Sequence, residues 1–327
     1  MKLKAYKMKK IVFWVGLLFL IPTLPFAQEY PTKPINMLVA LAPGGIVDSS
    51  IRVLASKAEK FLGQPFIISN NGGGGGSVAF GILAREKPDG YHLVGSPNSP
   101  LVRIPHLRSV PYRIEDFIPI MHFGTSEAGL VVRADSPWKT LKEFVEYARK
   151  NPWKVTLAIP GTGTPQHIAM EYIGKKEGIQ WTMVPYSGGA PGITALLGGH
   201  VTAYSGSTVW VPHVKAGSLR LLSTNGERRM KAFPEVPTLR QLGYDYSDEA
   251  IYMVTAPKGT PLSIVKKLDD AFRKAMDDPE FVRSMEKMEI EIYYRNHEDI
   301  KKHLEEAYHR FGKMIIDLKI PKESEQK

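Results

Sequence analysis

The sequence predicts an α/β protein made of two lobes with a ligand cleft between them. Three observations carry that prediction. Strand-length apolar runs alternate with helical patterns along most of the chain. Two glycine loops, far apart in the chain, each follow such a strand and open a helix. The 327 residues, 43% hydrophobic and 23% charged, suffice for two globular cores and do not read as disorder.

The N-terminus stands apart from that pattern. Lys2, Lys4, Lys7, Lys9 and Lys10 precede an apolar run over 11–21, then Pro22, with the small Ala27 before Gln28. A basic stretch, an apolar stretch and a small residue at the cut make residues 1–27 a signal peptide. The apolar run is short for a bilayer span, which favours a cleaved signal over a retained anchor. Pro25 departs from the small residue usual in the cleavage box. These five lysines account for half of the formal net charge of +10. What remains is mildly basic and asks for no nucleic acid or other polyanion. The chain has no cysteine, so neither a disulfide framework nor a lipid-modified N-terminal cysteine is available. The mature protein is expected to be soluble and exported.

The elements follow in order. An apolar strand over 37–42 leads into Pro43, Gly44 and Gly45, then a helix from about Asp48. Val47, Ile51, Leu54, Ala58 and Leu62 recur at helical spacing, and Gly63 is the stop signal. A short buried strand is expected over 66–69 and another strand over 91–95. The glycine run 72–76 lies between a strand and a further helical segment, which favours a tight loop over a floppy linker. It lacks the Lys-Ser or Lys-Thr pair of a phosphate-binding loop. Thr140 and Glu143 form a capping box before an inward stripe of Leu141, Phe144, Val145 and Ala148. A strand over 155–159 then leads into Pro160, Gly161, Thr162 and Gly163, with a helix opening at Thr164 and Pro165. Strands over 181–186 and 201–204 flank a short helix at 193–197. Thr260 and Pro261 open a helix carrying Ile264, Val265, Leu268 and Phe272. The last helix, about 298–316, turns Ile300, Leu304, Ala307, Phe311 and Ile315 inward.

The lobes are expected at 28–125 with 251–327, and at 126–250, with crossings near 123–128 and 249–254. Each glycine loop exposes backbone N–H groups at a helix start, where the macrodipole also favours negative charge. Both loops sit at the carboxyl ends of strands, the usual place for ligands in α/β sheets. Two such loops facing one another make a cleft for a small anion. The candidate ligand residues are Pro43, Gly44, Gly45, Gly161, Thr162, Gly163 and Thr164, with Ser96 and Asn98 after the strand at 91–95, and Tyr186. Ser205 and Ser207 follow an apolar strand and read equally as ligand hydroxyls or as a polar strand end. His167 lies in a first helical turn, beside the cleft or packed structurally. Asp48 either charges its helix start or meets a ligand ammonium. His297, His303 and His309 show no metal-ligand pattern and read as solvated. No metal or cofactor is expected. A Gly-x-Ser-x-Gly elbow, a His-Glu-x-x-His motif, a cysteine nucleophile and a carboxylate cluster are all missing, which argues against an enzyme.

Ala42-Pro43-Gly44-Gly45-Ile46-Val47-Asp48, the run from Asn70 to Gly76 and Lys87-Pro88-Asp89-Gly90-Tyr91 resemble the first lobe of the Bug receptors. These are the periplasmic substrate-binding proteins of tripartite tricarboxylate transporters, also called the TctC family. The stretch Gly161-Thr162-Gly163-Thr164-Pro165-Gln166-His167 resembles its second lobe. So do Val184-Pro185-Tyr186-Ser187-Gly188, Leu196-Leu197-Gly198-Gly199 and Lys215-Ala216-Gly217. Residues 233–238 and 256–261 resemble the return segment. The resemblance spans nearly all of the chain after the signal, in order. It implies a periplasmic-binding-protein fold of type II-like form that closes on a small carboxylate and delivers it to membrane permease subunits. Citrate-like acids, dicarboxylates, acidic amino acids and aromatic acids are the ligand classes it implies. The same fold also suits a periplasmic sensor that presents its liganded form to a membrane histidine kinase. A monomer is expected. Where the family usually carries an arginine and a proline, this chain has Asn71 and Gly72.

Overall fold

The computed structural model describes residues 30–226, 228–248, 250–320 and 322. The chain divides into two units, Met1–Thr32 and Lys33–Lys327. The expected signal peptide lies outside the described residues, and the second unit carries everything below.

Two sheets form. β1 (Ile35–Val39), β2 (Phe66–Asn70), β3 (His92–Pro97) and β4 (Phe117–Ser126) belong to the first. β5 (Ala128–Arg133), β6 (Thr156–Ile159), β7 (Thr182–Pro185), β8 (Ala203–Ser207) and β9 (Leu219–Thr224) make the second, and β10 (Ala250–Pro257) and β11 (Ile290–Arg295) return to the first. The strand orders are β11-β4-β10-β3-β1-β2 and β7-β6-β8-β5-β9. The chain passes from one sheet to the other at Glu127 and returns between β9 and β10. Within each sheet three strands run parallel, β2-β1-β3 and β7-β6-β8, and β10 and β5 meet them antiparallel.

The helix after β1, α1 (Ile46–Leu62), starts two residues before the expected Asp48 and buries Val47, Ile51, Leu54, Ala58 and Leu62. It ends at Gly63 in the left-handed conformation, whose N–H donates to the Glu59 carbonyl at 2.8 Å. β2 departs from the expected buried strand. It is an edge strand, and Ile67 on it is 57% exposed while Phe66 is buried. The glycine run folds as a tight turn, Gly73–Gly76, that feeds α2 (Ser77–Leu83). Two four-residue helices, α3 (Ser99–Val102) and α4 (Ile104–Leu107), follow β3.

In α5 (Leu141–Lys150), Thr140 Oγ1 accepts the Glu143 N–H at 3.2 Å, and the four apolar residues of the stripe are buried. The return bond of the capping box shifts by one residue, since Glu143 Oε2 accepts the N–H of Lys139 at 2.6 Å. α6 (Pro165–Glu177) and α7 (Gly189–Leu197) cover the second sheet, and α8 (Val211–Lys215) follows β8. α9 (Leu262–Met276) packs on α1, and α10 (Pro279–Lys287) leads into β11. α11 (His297–Asp317) serves both sheets. Ile300, Leu304, Ala307 and Phe311 join the core under the first, with Phe80 and Met253. Ile315 joins the core under the second, with Phe144, Leu157 and Met170. Each buried Ile, Leu or Phe among them contributes about 1.5–3 kcal/mol of transfer free energy, so this one helix ties the two cores together. No helix among the described residues is long and apolar enough to cross a membrane.

Candidate functional site

Three helix starts converge on one cavity. α1 begins after Gly45, α6 after Thr164 and α7 after Gly188. Gly45, Ile46 and Val47 line it from the first, Thr164, Pro165 and Gln166 from the second, and Gly189 from the third. Ser99, Ser207 and Tyr252 add hydroxyls. Among the described residues no Lys, Arg, Asp or Glu side chain lines it. Its polar character therefore comes from neutral side chains and from the positive ends of helices, an arrangement that suits an anion.

The walls are closed on one another. The Ala42 N–H, from the first glycine loop, donates to the carbonyl of Ser187, in the loop between β7 and α7, at 2.8 Å. A Cβ at Gly72 would stand 2.6 Å from that same oxygen. Gly75, at φ +64°, comes so near the other glycine loop that a Cβ there would be 2.7 Å from the Thr162 carbonyl oxygen. Backbone rests on backbone, which only residues without side chains permit. The cavity left is about 30 Å³, room for about two waters.

Of the residues expected from sequence, Gly45, Thr164 and Ser207 line this cavity. Pro43 and Gly44 are exposed instead. Asp48 is buried and fully engaged: Oδ2 accepts the Gly44 N–H at 2.9 Å, and Oδ1 accepts Arg52 Nε and Asn70 Nδ2, both at 2.8 Å. The Thr164 hydroxyl donates to the Gly161 carbonyl at 2.9 Å and accepts the His167 N–H at 3.3 Å, so it shapes its loop as well as capping α6. His167 is buried, and burial lowers its pKa to about 4. The neutral ring accepts the Gly163 N–H on Nδ1 at 3.2 Å, which leaves the proton on Nε2, 3.7 Å from Glu171. Gly161 and Thr162 face the glycine run rather than the cavity.

Ser96 is buried, its hydroxyl without a partner among the described residues. Asn98 Oδ1 accepts from Arg103 at 3.1 Å. Ser205 donates to the Gln166 carbonyl at 3.5 Å, and both Ser205 and Ser207 lie within β8 rather than after it. Tyr186 is half-buried, packed against a separate apolar cluster that includes Tyr204, Trp210 and Phe233. His303, read as solvated, is half-buried, and burial lowers its pKa to about 4. Among the described residues no three His, Cys, Asp or Glu side chains gather to hold a metal.

Sequence reasoning missed the third helix start, because Gly189, Ala190, Pro191 and Gly192 read as a loop. It missed Tyr252 on β10 as well, whose hydroxyl bonds Ser126 and Ser207 and whose pKa burial raises to about 12. Arg103 and Asp248 also carried no local signal. They form a buried ion pair, Nη2 meeting the two carboxylate oxygens at 2.7 and 2.6 Å.

Residues 50–320 match the model of the tripartite tricarboxylate transporter family receptor, TctC. The chain belongs to this family. A protein of Cupriavidus necator, named as a UPF0065 protein in the gbd 5' region, is 41% identical over 271 residues, 83% of each chain. The solved structure of the periplasmic binding protein BugD is similar, with a TM-score of 0.83 at 27% identity over 89% of this chain and 99% of that one. So is MatC of Rhodopseudomonas palustris with bound malate, with a TM-score of 0.83 at 26% identity over 88% of this chain and 100% of that one. The two mixed sheets flanked by helices are the two-lobed periplasmic-binding-protein fold. A TctC receptor binds a substrate and is not an enzyme, which agrees with the missing catalytic motifs.

Proposed function

We propose that this TctC receptor is exported, binds a small organic carboxylate and hands it to the membrane permease subunits of a tripartite tricarboxylate-type transporter. One observation carries the reading. Helix starts of 17, 13 and 9 residues converge on a cavity that no charged side chain lines among the described residues. That environment stabilises a carboxylate through fixed dipoles without committing to a counter-ion. Malate in the related MatC is a ligand of this class. The basic and apolar leader over 1–27 supports export. In this reading residues 28–125 with 251–327 form one lobe and 126–250 the other. Gly45, Ser99, Thr164, Gln166, Ser207 and Tyr252 contact the ligand.

A cavity of about 30 Å³ is too small for a four-carbon diacid. The lobes part to admit it, breaking the contact between Ala42 and Ser187, and close again around it. The test is a thermal-shift screen of the mature protein against mono-, di- and tricarboxylates, amino acids and aromatic acids. A ligand at a hundred times its Kd adds about 2.7 kcal/mol of stability, a rise of roughly 2–10 °C in Tm. A panel without a shift, with flat calorimetry, overturns the reading. Unimpaired uptake of the identified ligand in cells lacking the receptor overturns its transporter half.

A further inference from the structure

Arg103 sits between α3 and α4 with none of its side chain exposed, and no part of the ligand reading uses it. Its guanidinium lies 3.7 Å from the ring centre of Phe311 on α11. Nη2 meets both oxygens of Asp248, in the segment that leads from the second sheet back to β10. Nη1 donates to Asn98 Oδ1 at 3.1 Å and to Ser99 Oγ at 3.3 Å. Ser99 lines the cavity from the first-sheet side. On the other side, the Tyr246 hydroxyl donates to the Pro165 carbonyl at 2.8 Å and stands 3.4 Å from Asp248 Oδ2. Pro165 opens α6 and lines the cavity from the second-sheet side, and Tyr246 is packed in the second core.

A single charge pair thus has one hand on each wall. Nη2 is spent on both oxygens of Asp248 and Nη1 on Asn98 and Ser99, so the planar guanidinium fixes direction as well as distance between its partners. Ser247 is the one residue between the anchor in the second core and the anchor on Arg103.

We propose that Arg103 and Asp248 are positioning residues of this receptor. They act as a buried strut that holds Ser99 on one wall and, through Tyr246, Pro165 on the other, and so sets how far apart the walls stand. Only the affinity arm of the test rests on the carboxylate-receptor reading. A pair that merely stabilised the fold would leave the wall separation unchanged when replaced without loss of folding.

The chain has no cysteine, so labels can be placed cleanly. Ile67 on β2 of the first sheet and Lys150 on α5, whose apolar stripe packs in the core under the second sheet, are both exposed. With Ile67→Cys and Lys150→Cys spin-labelled, the distance distribution is measured without ligand, in the otherwise wild-type protein and in Arg103→Met/Asp248→Leu. The double replacement leaves no lone buried charge, which favours retained folding. The expected result is a cooperatively melting variant whose distribution is shifted or broadened beyond the wild-type width. Superimposable distributions in a folded variant overturn the proposal. If the double variant does not melt cooperatively, Asp248→Asn, which keeps size and one accepting oxygen, is judged by the same two outcomes. In the second arm, calorimetry with malate should show affinity about tenfold weaker in the variant, because fewer molecules hold the competent geometry. Unchanged malate affinity in a folded variant also overturns the strut. A wild type that binds neither malate nor any carboxylate of the panel overturns the receptor reading, while the distance result still decides the strut.

Discussion

Asp48 Oδ2 accepts the backbone N–H of Gly44 at 2.9 Å, so the acid beside the anion site is spent on the loop that precedes its own helix. Arg52 Nε and Asn70 Nδ2 take the other oxygen. Arg52 in turn donates to Asn70 Oδ1, and Asn70 to the Leu41 carbonyl, so the network holds the whole first glycine loop. As a simple cap, Asp48 would be replaced by asparagine at almost no cost. The geometry reverses that expectation, because an asparagine has one accepting oxygen for three donors. Asp48→Asn should lose about 1–3 kcal/mol, read by chemical denaturation. The occupied carboxylate also has no role for a ligand ammonium, so the ratio of malate to aspartate affinity should be the same in wild type and Asp48→Asn. A selective loss of aspartate binding in the variant would assign Asp48 to the ligand instead.

Thr164 has two hydrogen bonds of its own and a place on the cavity wall. Thr164→Ala removes the cap of α6 and frees the Gly161 carbonyl, at a cost of roughly 1–2 kcal/mol. Affinity for the screened carboxylate should fall about tenfold or more, since the loop donors lose their orientation. Thr164→Ser keeps the hydroxyl and should restore both. Calorimetry on the folded variants decides, and an alanine variant with wild-type affinity would make Thr164 a stabilising residue only.

Gly75 tests closure. A side chain there meets the Thr162 carbonyl across the cleft, and φ +64° is itself unfavourable for alanine by roughly 1–2 kcal/mol. The strain is present whether the cleft is open or shut, whereas the clash exists only when it is shut. Gly75→Ala should therefore weaken ligand binding by more than its loss of stability accounts for. Gly63→Ala is the control, with a similar φ of +69° and open space at its Cβ. Equal losses of affinity in the two variants would show that the clash contributes nothing.

What could be read from the sequence was local. The stripe of α5 and the inward face of α11 follow from 3.6-residue spacing alone, and both glycine loops from a strand, a glycine and a helix in succession. The first turn of α7 was not legible, because a proline at Pro191 reads as a break. Yet it sits where the helix N–H groups have no intrahelical partner, so it does no harm. Ile67 looked buried by composition and is exposed by its place at a sheet edge, which only strand order determines. Arg103 and Asp248 are 145 residues apart, and nothing near either announces the other. The sequence alone leaves the loop donors free. The fold gives Ala42 N–H to Ser187, Gly44 N–H to Asp48 and Gly163 N–H to His167, pairings set by rotamers and by contact across the cleft.

The histidines make stability depend on pH. Burial lowers His167 to about 4, and burial with the neighbouring Arg295 lowers His122 to about 3. Both are below the 6.5 of an unfolded histidine, so the unfolded chain binds the extra proton first. Stability is therefore intact above pH 6.5 and is lost as the pH falls towards 4. Asp269, which burial raises to about 6, opposes this, because its buried carboxyl is relieved by protonation over the same range. Two deeply buried histidines outweigh one half-buried acid, and Tm should drop between pH 7 and pH 4.5. For His167 alone the loss at pH 4.5 is roughly 2–3 kcal/mol. His167→Gln still offers an oxygen to the Gly163 N–H but has no proton to gain. The stability gap between wild type and His167→Gln, measured by denaturant at both pH values, should move in favour of the variant by roughly that amount. Parallel pH profiles would mean that His167 titrates alike in the folded and unfolded chain.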